Sequence, residues 1–404
     1  MIKSLCSSHQ FLLFSRNVSS FVLPQSHLKL KKICSEYSES SLRPIAAILD
    51  KNQLFPSEQI KELGALGFMG ILVEKKYGGF DGDTLALSVA VEEIARYCGG
   101  TSSIVSIHNA LYADTINRLG TIEQKNNFLS DFVNGNKIGC FALSEQDSGS
   151  DAANLKTTAK KCGNEWILNG TKAWVTNGIE GEAFIVIARS NESGGHNGIS
   201  AFLVPSKIAG LSRGKKEDKL GIRASSTCNI ILDNVRIPNE NLLGNEGEGF
   251  KIAMSAIDLA RIGIASQAIG ISEAALECAI KYAGQRIAFG NPIINLTPVQ
   301  IRLAKMVTKI EASRLLTWKA AKLRDSGQTF IQDAAMAKLV SSETATFVTH
   351  NCIQILGGMG YIKDLPAERY YRDARITEIY AGPTDIQFLV IADNLAKKYG
   401  FKIR

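Results

Sequence analysis

The sequence predicts a mixed α and β protein: an N-terminal α-helical domain, a central β-sandwich or barrel, and a C-terminal four-helix bundle. Three observations carry this expectation. Apolar residues recur at helical spacing from about 23 to 139. Short β-type runs between Gly, Asn and Pro turns fill 140–243, and long helical periodicity occupies 244–404. At 404 residues the chain exceeds one typical domain, and its 45% apolar and 21% charged residues suit packed cores.

Residues 1–22 form a leader of distinct character. Lys3, Arg16, Lys29, Lys31 and Lys32 all precede the first acidic residue, Glu36, and the leader is Ser-rich with a short apolar run, Phe11–Phe14. Arg16 after that run, and the lack of an obvious small-x-small cleavage site, favour a mitochondrial transit peptide and a matrix location over a secretory signal.

Within 23–139, Leu28, Ile33 and Tyr37 open one apolar helical face. Pro56-Ser57-Glu58 reads as a helix start leading to Leu63 and Leu66 before Gly67. Tyr77–Gly82 reads as a loop, followed by a helix through Leu85, Val89, Val91 and Ile94. In 140–243 the strand signals are 166–168, 173–176, 183–190, 199–204 and 229–232. After Gly249, Ile269, Leu276 and Ile280 share one face, and Glu273, Glu277 and Lys281 lie on another, with Glu277 and Lys281 in a favourable pairing order. Further helices are expected over 298–324 and 331–353, and long helices with short loops make a bundle.

Several function classes are set aside. No uninterrupted apolar run approaches the roughly 18 residues that span a bilayer, so no integral membrane contact is expected. The net charge of +7 is partly a leader property, leaving no basic stripe for nucleic acid. Eight scattered cysteines without C-x-x-C read as buried reduced thiols, and five dispersed histidines offer no metal site.

Five stretches carry chemistry. Phe141-Ala142-Leu143-Ser144-Glu145-Gln146-Asp147-Ser148-Gly149-Ser150 is a strand opening into a Ser/Gly loop whose amides and hydroxyls can bond a carbonyl edge. Asn169–Gly178 places Trp174, Val175 and Thr176 on a second strand. Arg286-Ile287-Ala288-Phe289-Gly290 and Gln354-Ile355-Leu356-Gly357-Gly358 combine a phosphate-binding fork with glycines that admit a ligand to the backbone. Tyr371–Gln387 contains Arg372-Asp373-Ala374, Tyr380-Ala381-Gly382 and Pro383-Thr384-Asp385.

Together these stretches resemble the flavin-dependent acyl-CoA dehydrogenases, the short-chain members most closely, over about Leu23 to Tyr399. The resemblance implies FAD as cofactor, short-chain acyl-CoA as substrate, the electron-transfer flavoprotein as electron acceptor, and a homotetramer. It assigns flavin contacts to Phe141, Leu143, Ser144, Gly149, Ser150, Trp174, Val175 and Thr176, with Trp174 walling the isoalloxazine. It assigns further contacts to Pro383, Thr384 and Asp385, to Arg286 from a neighbouring subunit, and to Gln354, Ile355, Leu356, Gly357 and Gly358. Substrate contacts fall on Ser150, Asp258, Leu259, Ala260, Arg261, Tyr380 and Gly382. The family's base, a Glu that removes the α-proton, belongs where this chain has Ala381. Its alternative location on the first bundle helix is Ala260. Departures gather nearby: Gln146-Asp147 replace Pro-Gly, Thr297-Pro298 stand where a Gln is usual, and Phe388 replaces an Arg. Two readings stand: a dehydrogenase with a displaced base, for which Asp147 is the candidate beside Glu378, an acid that the family also carries and that reads as structural, and a folded family member that binds acyl-CoA, FAD or a protein partner without turnover.

Overall fold

The structure, a computed structural model, describes residues 23–402; the expected leader lies outside them. The chain first builds helices α1 (Gln25–Tyr37), α2 (Ala46–Asn52), α3 (Ser57–Ala65), α4 (Thr84–Ala95), α5 (Gly99–Ile107), α6 (Asp114–Leu119), α7 (Ile122–Phe128) and α8 (Ser130–Val133). The Asp83 carboxylate caps α4 by accepting the Ala86 N–H at 2.7 Å, and Thr121 with Gln124 forms a capping box on α7. On α1 the buried seam is Leu30 and Cys34, flanked by half-buried Leu28 and Tyr37. Ile33, expected on that face, is 47% exposed, because it lies about 100° round the helix from Cys34. Every residue of α4 is buried, and its two acids, Glu92 and Glu93, are held by Arg314, Lys31 and Arg96.

The middle of the chain forms strands β1 (Ile138–Ala142), β2 (Thr158–Cys162), β3 (Glu165–Thr176), β4 (Gly181–Arg189), β5 (Ile199–Pro205), β6 (Leu211–Arg213), β7 (Thr227–Pro238) and β8 (Leu242–Leu243). They join in the order β6-β7-β3-β2-β4-β5-β8, with β1 parallel to β4. The two runs expected at 166–168 and 173–176 are one strand. Its register against β7 breaks at Leu168/Gly170 and Lys172/Val175, and Gly170 adopts φ +146°, so the irregularities bend a continuous element. Side-chain alternation gives the sheet two interiors. Ala183, Ile185 and Ile187 of β4 enter the core shared with the helices, whereas Phe184, Val186 and Ala188 enter the β-domain's own core with Trp166, Val175 and Ile230.

The C-terminal part contains α9 (Gly249–Gln285), the short hairpin β9 (Ile287–Ala288) and β10 (Asn291–Pro292), α10 (Thr297–Asp325), α11 (Ile331–Leu356), α12 (Gly358–Tyr361), α13 (Ala367–Arg375) and α14 (Thr384–Lys398). Pro298 sits in the first turn of α10, where its missing N–H costs no helix bond. Helix α9 is long and apolar enough to cross a membrane by length and composition, but 78% of its most apolar window is buried inside the protein. It is the central core helix. Gly270 permits its contact with α4, since a Cβ there would lie 2.1 Å from the Glu92 carbonyl oxygen. The expected Glu277–Lys281 pairing yields to a longer-range one. Glu277 pairs with Arg96, and Arg314 of α10 bonds Glu92 at 3.0 Å, Glu273 at 2.5 Å and Glu311. Of the cysteines described, Cys162 is exposed, contrary to the expectation of burial, because it ends β2 at a turn.

Two stability predictions follow from these buried groups. Arg314→Met strands Glu92, which is already pushed up by burial, and should cost about 3–5 kcal/mol, read as a lower urea midpoint. His108 is fully buried, its Nδ1 accepts the Gly139 N–H at 3.1 Å, and burial lowers its pKa to about 4. The unfolded imidazole binds a proton that the folded one refuses, so stability present above about pH 6.5 is lost as pH falls toward 4, by up to roughly 3 kcal/mol. Urea titrations across that window should show a flatter pH dependence for His108→Asn.

Candidate active site

Strand β1 ends at Ala142, and the next residues are stitched to β3. The Ala173 N–H donates to the Ser144 carbonyl at 2.8 Å, and the Lys172 ammonium donates to the Leu143 carbonyl at 2.9 Å and to Glu145 at 2.7 Å. Glu145 also accepts the Lys156 and Thr157 N–H groups at 2.7 and 2.9 Å. Burial alone would raise the Glu145 carboxyl, but Lys172 and these donors hold it below the usual range, while burial pushes the Lys172 ammonium down to about 8. This buried pair therefore joins the two sequence stretches that hold Leu143, Ser144, Trp174, Val175 and Thr176.

Around that junction the expected residues divide by accessibility. Trp174 adopts φ +59° and is 60% exposed, so its indole is available to a ligand; Leu143, Ser144 and Thr176 are half-buried. Gly149 and Ser150 lie on an exposed loop. Phe141 and Val175 are buried and can offer only their backbone to a ligand. Asp147 is exposed and paired with Lys156 at 2.9 Å.

The turn after α13 touches α9 at Gln267, midway along that helix. Tyr380 and Ala381 border the same core as Leu143 and as Phe250, Met254 and Ile257 of α9. Tyr380 donates its hydroxyl to Gln267, which is fully buried and donates to the Gly99 carbonyl at 2.8 Å. Ala381 adopts φ +50° and Gly382 φ +90°, conformations that a following carbonyl clamp maintains. The Gly382 oxygen accepts from Lys338 Nζ at 2.8 Å and Gln387 Nε2 at 2.7 Å. Among the described residues no acceptor meets the Ala381 N–H. Pro383 opens α14, with Thr384 half-buried and Asp385 exposed. On α9, Asp258 pairs with Arg261, while Leu259 and Ala260 are wholly buried.

The bundle's end holds the remaining set. Arg286 is exposed beyond α9, its guanidinium without a partner among the described residues, beside the Phe289 tip of the β9–β10 hairpin. Gln354 lines a cavity of about 330 Å³ with His350, Ile353, Tyr361, Glu368, Tyr371 and Arg372. Ile355 and Leu356 are buried in the bundle. Gly357 and Gly358 are exposed, with open space where a Cβ would stand. No hydrogen bond joins this set to the Trp174 group among the described residues.

Three domain models match the chain: the acyl-CoA dehydrogenase N-terminal domain over 24–136, the middle domain over 140–235 and the C-terminal domain over 247–396. The chain belongs to the acyl-CoA dehydrogenase family. It is similar to the mitochondrial short-chain specific acyl-CoA dehydrogenase of Rattus norvegicus, 53% identical over 380 residues, covering 94% of this chain and 92% of the relative. It also resembles the solved butyryl-CoA dehydrogenase of Megasphaera elsdenii, at 41% identity and TM-score 0.90, covering 92% of this chain and 98% of that one. A glutaryl-CoA dehydrogenase of Mycobacterium smegmatis in complex with FADH2 is 30% identical at TM-score 0.90, covering 94% and 97%.

Membership in the acyl-CoA dehydrogenase family explains the motif positions but leaves several contributors unmarked. Glu145 and Lys172 stand inside the quoted motifs, yet their pairing depends on β1 and β3 meeting. Lys338 and Gln267 lie in ordinary helical stretches, where a polar residue on an apolar face is the only signal, and Gln387 ends the Tyr371–Gln387 stretch with no role assigned to it. Lys172→Met should cost about 3 kcal/mol by leaving Glu145 buried without its cation, and should loosen the 144–150 loop. The expected readouts are a lower urea midpoint and faster proteolytic cutting within that loop.

Proposed function

We propose that this chain is an FAD-binding, short-chain acyl-CoA flavoprotein built as a dehydrogenase, with α-proton removal disabled at its usual places. The observation that carries the proposal is that both family base positions hold alanine, while four acids that could stand in are already paired and Asp385 is exposed on the first turn of α14. Glu378 accepts from Thr346 and Arg375, Asp258 pairs with Arg261, Glu145 with Lys172, and Asp147 with Lys156. Ala381 and Ala260 carry no titratable group. Asp147, exposed and paired with Lys156, is a loop acid with a structural partner.

The residues present suit a flavin. Trp174 offers an uncovered indole, the Ser144 loop supplies polar groups, and Arg286 with Gly357 and Gly358 provides an unpaired fork and open backbone for a pyrophosphate. When bound, the flavin supplies acceptance of a hydride from the substrate's β-carbon. The chain's own part is orientation. The α9 opening and Tyr380 border an acyl chain, Gln267 limits its depth, and the unbonded Ala381 N–H can donate to a thioester carbonyl. The domain limits read from the sequence, at 23, 140 and 244, belong to this proposal. So do mitochondrial matrix location, the electron-transfer flavoprotein as acceptor, and a homotetramer in which Arg286 and Gln354–Gly358 complete a neighbour's flavin site. Exposed Ile287, Phe289, Phe388 and Leu389 support that assembly.

Ala381→Glu should raise the rate of flavin bleaching by butyryl-CoA by roughly 10²–10⁴ under anaerobic stopped flow, the usual worth of a positioned base. The unsubstituted protein should bind the same thioester with a shift of its flavin spectrum and little bleaching. Rapid bleaching without the substitution would overturn the proposal.

A further inference from the structure

The Ala381 turn has more buried positive charge than negative. Lys338 is wholly buried with its ammonium on the Gly382 carbonyl, and Arg261 is 5% exposed. The Arg261 guanidinium gives one N–H to Asp258, while its Nε is buried without a partner. Glu378 is the only acid among the charges acting on Lys338, and Arg375 already engages it. Among the described residues the Lys338 ammonium has no acid within ion-pair distance, Arg261 has only Asp258, and Glu378 is taken by the half-exposed Arg375. A buried cation without a matching anion is costly, and a desolvated ion pair forms readily where a ligand can supply the missing charge. Burial together with Arg261 holds the Lys338 ammonium at about 8, which keeps it mostly charged at neutral pH. Ala381 and Gly382 are half-buried, so the turn is reachable from outside.

We propose that the turn at Tyr380–Gly382, backed by Lys338 and Arg261, is an anion subsite that takes a small carboxylate. The carboxylate can be a free ion or the acid group on the α-carbon of a malonyl-type acyl thioester. Alanine at 381 is what opens the subsite, because a larger acidic side chain there would occupy the space and satisfy the cations itself. The thioester form rests on the acyl-CoA reading given above; the free-ion form rests on the geometry alone. A substrate that carries its own carboxylate beside the thioester would be favoured over a plain short acyl chain, the opposite of what a protein with an acid at 381 would prefer.

The experiment uses the purified holoprotein and its Ala381→Glu, Ala381→Gln and Lys338→Met variants. Melting curves are recorded in sodium acetate against sodium chloride at equal ionic strength, and calorimetry compares malonyl-CoA with butyryl-CoA. The unsubstituted protein should show an acetate-specific rise in Tm and bind malonyl-CoA at least about tenfold more tightly than butyryl-CoA. Both Ala381 variants should lose the acetate response, and Ala381→Glu should reverse the thioester preference. The neutral Gln variant separates filling of the space from charge repulsion, and Lys338→Met should weaken acetate and butyryl-CoA binding together, because the same ammonium holds the turn. An acetate response with no malonyl-CoA preference would assign the subsite to free ions. Equal acetate responses in the unsubstituted protein and Ala381→Glu, or none in either, would overturn the proposal while butyryl-CoA binding left the family reading intact. Failure of both thioesters to bind, with the acetate response present, would instead count against the acyl-CoA reading.

Discussion

The strict alternation of β4 is the constraint on which the site depends. One set of its side chains belongs to the core shared with the helices and the other to the β-domain's own core. A slip of one residue would exchange the two sets and bury the wrong face of every neighbouring strand. Because β1 runs parallel to β4 in fixed register, that alternation also decides where β1 ends. The Ser144 loop leaves from that end, and Lys172 reaches it from β3. This wall of the candidate site is therefore a consequence of sheet register, with a buried ion pair as its rivet.

The second wall has a different origin. The Ala381 turn is irregular backbone, and a left-handed alanine is unfavourable by about 1 kcal/mol in isolation. It persists because Lys338 and Gln387, from two separate helices, converge on one carbonyl oxygen. The clamp acts on the main chain, so it is indifferent to the side chain at 381. That indifference is why the turn can keep its shape while its chemistry changes, and why substitution at 381 is a clean probe of function.

Much of this was legible in the sequence. The change from helical to β-type pattern at Cys140 and back near Gly249 marks the architecture, since periods of 3.6 and 2 differ within a single turn of chain. The motifs around Trp174 and Ala381 mark the two walls of the candidate site. What the sequence could not show were partners distant along the chain. Glu277 has a favourable neighbour in Lys281, yet Arg96 takes it once α4 packs on α9. Ile33 fitted an apolar face, but the seam is set by what Leu30 and Cys34 meet. Lys338 reads as a surface lysine until α11 is placed against the turn, and Asp147 reads as a free acid until Lys156 is seen beside it.

The cluster centred on Arg314 has a consequence for how the domains respond to their surroundings. Glu92 and Arg314 are nearly inaccessible to solvent, and Glu273 is largely covered, so dissolved ions cannot enter the space between them. Mobile ions screen over a Debye length of about 8 Å at physiological ionic strength, but only where they can approach. Surface pairs such as Lys32–Glu36 weaken as salt rises, whereas the junction of α4, α9 and α10 does not. The helical domain thus stays fastened to the bundle across the range of ionic strengths a cell compartment can present.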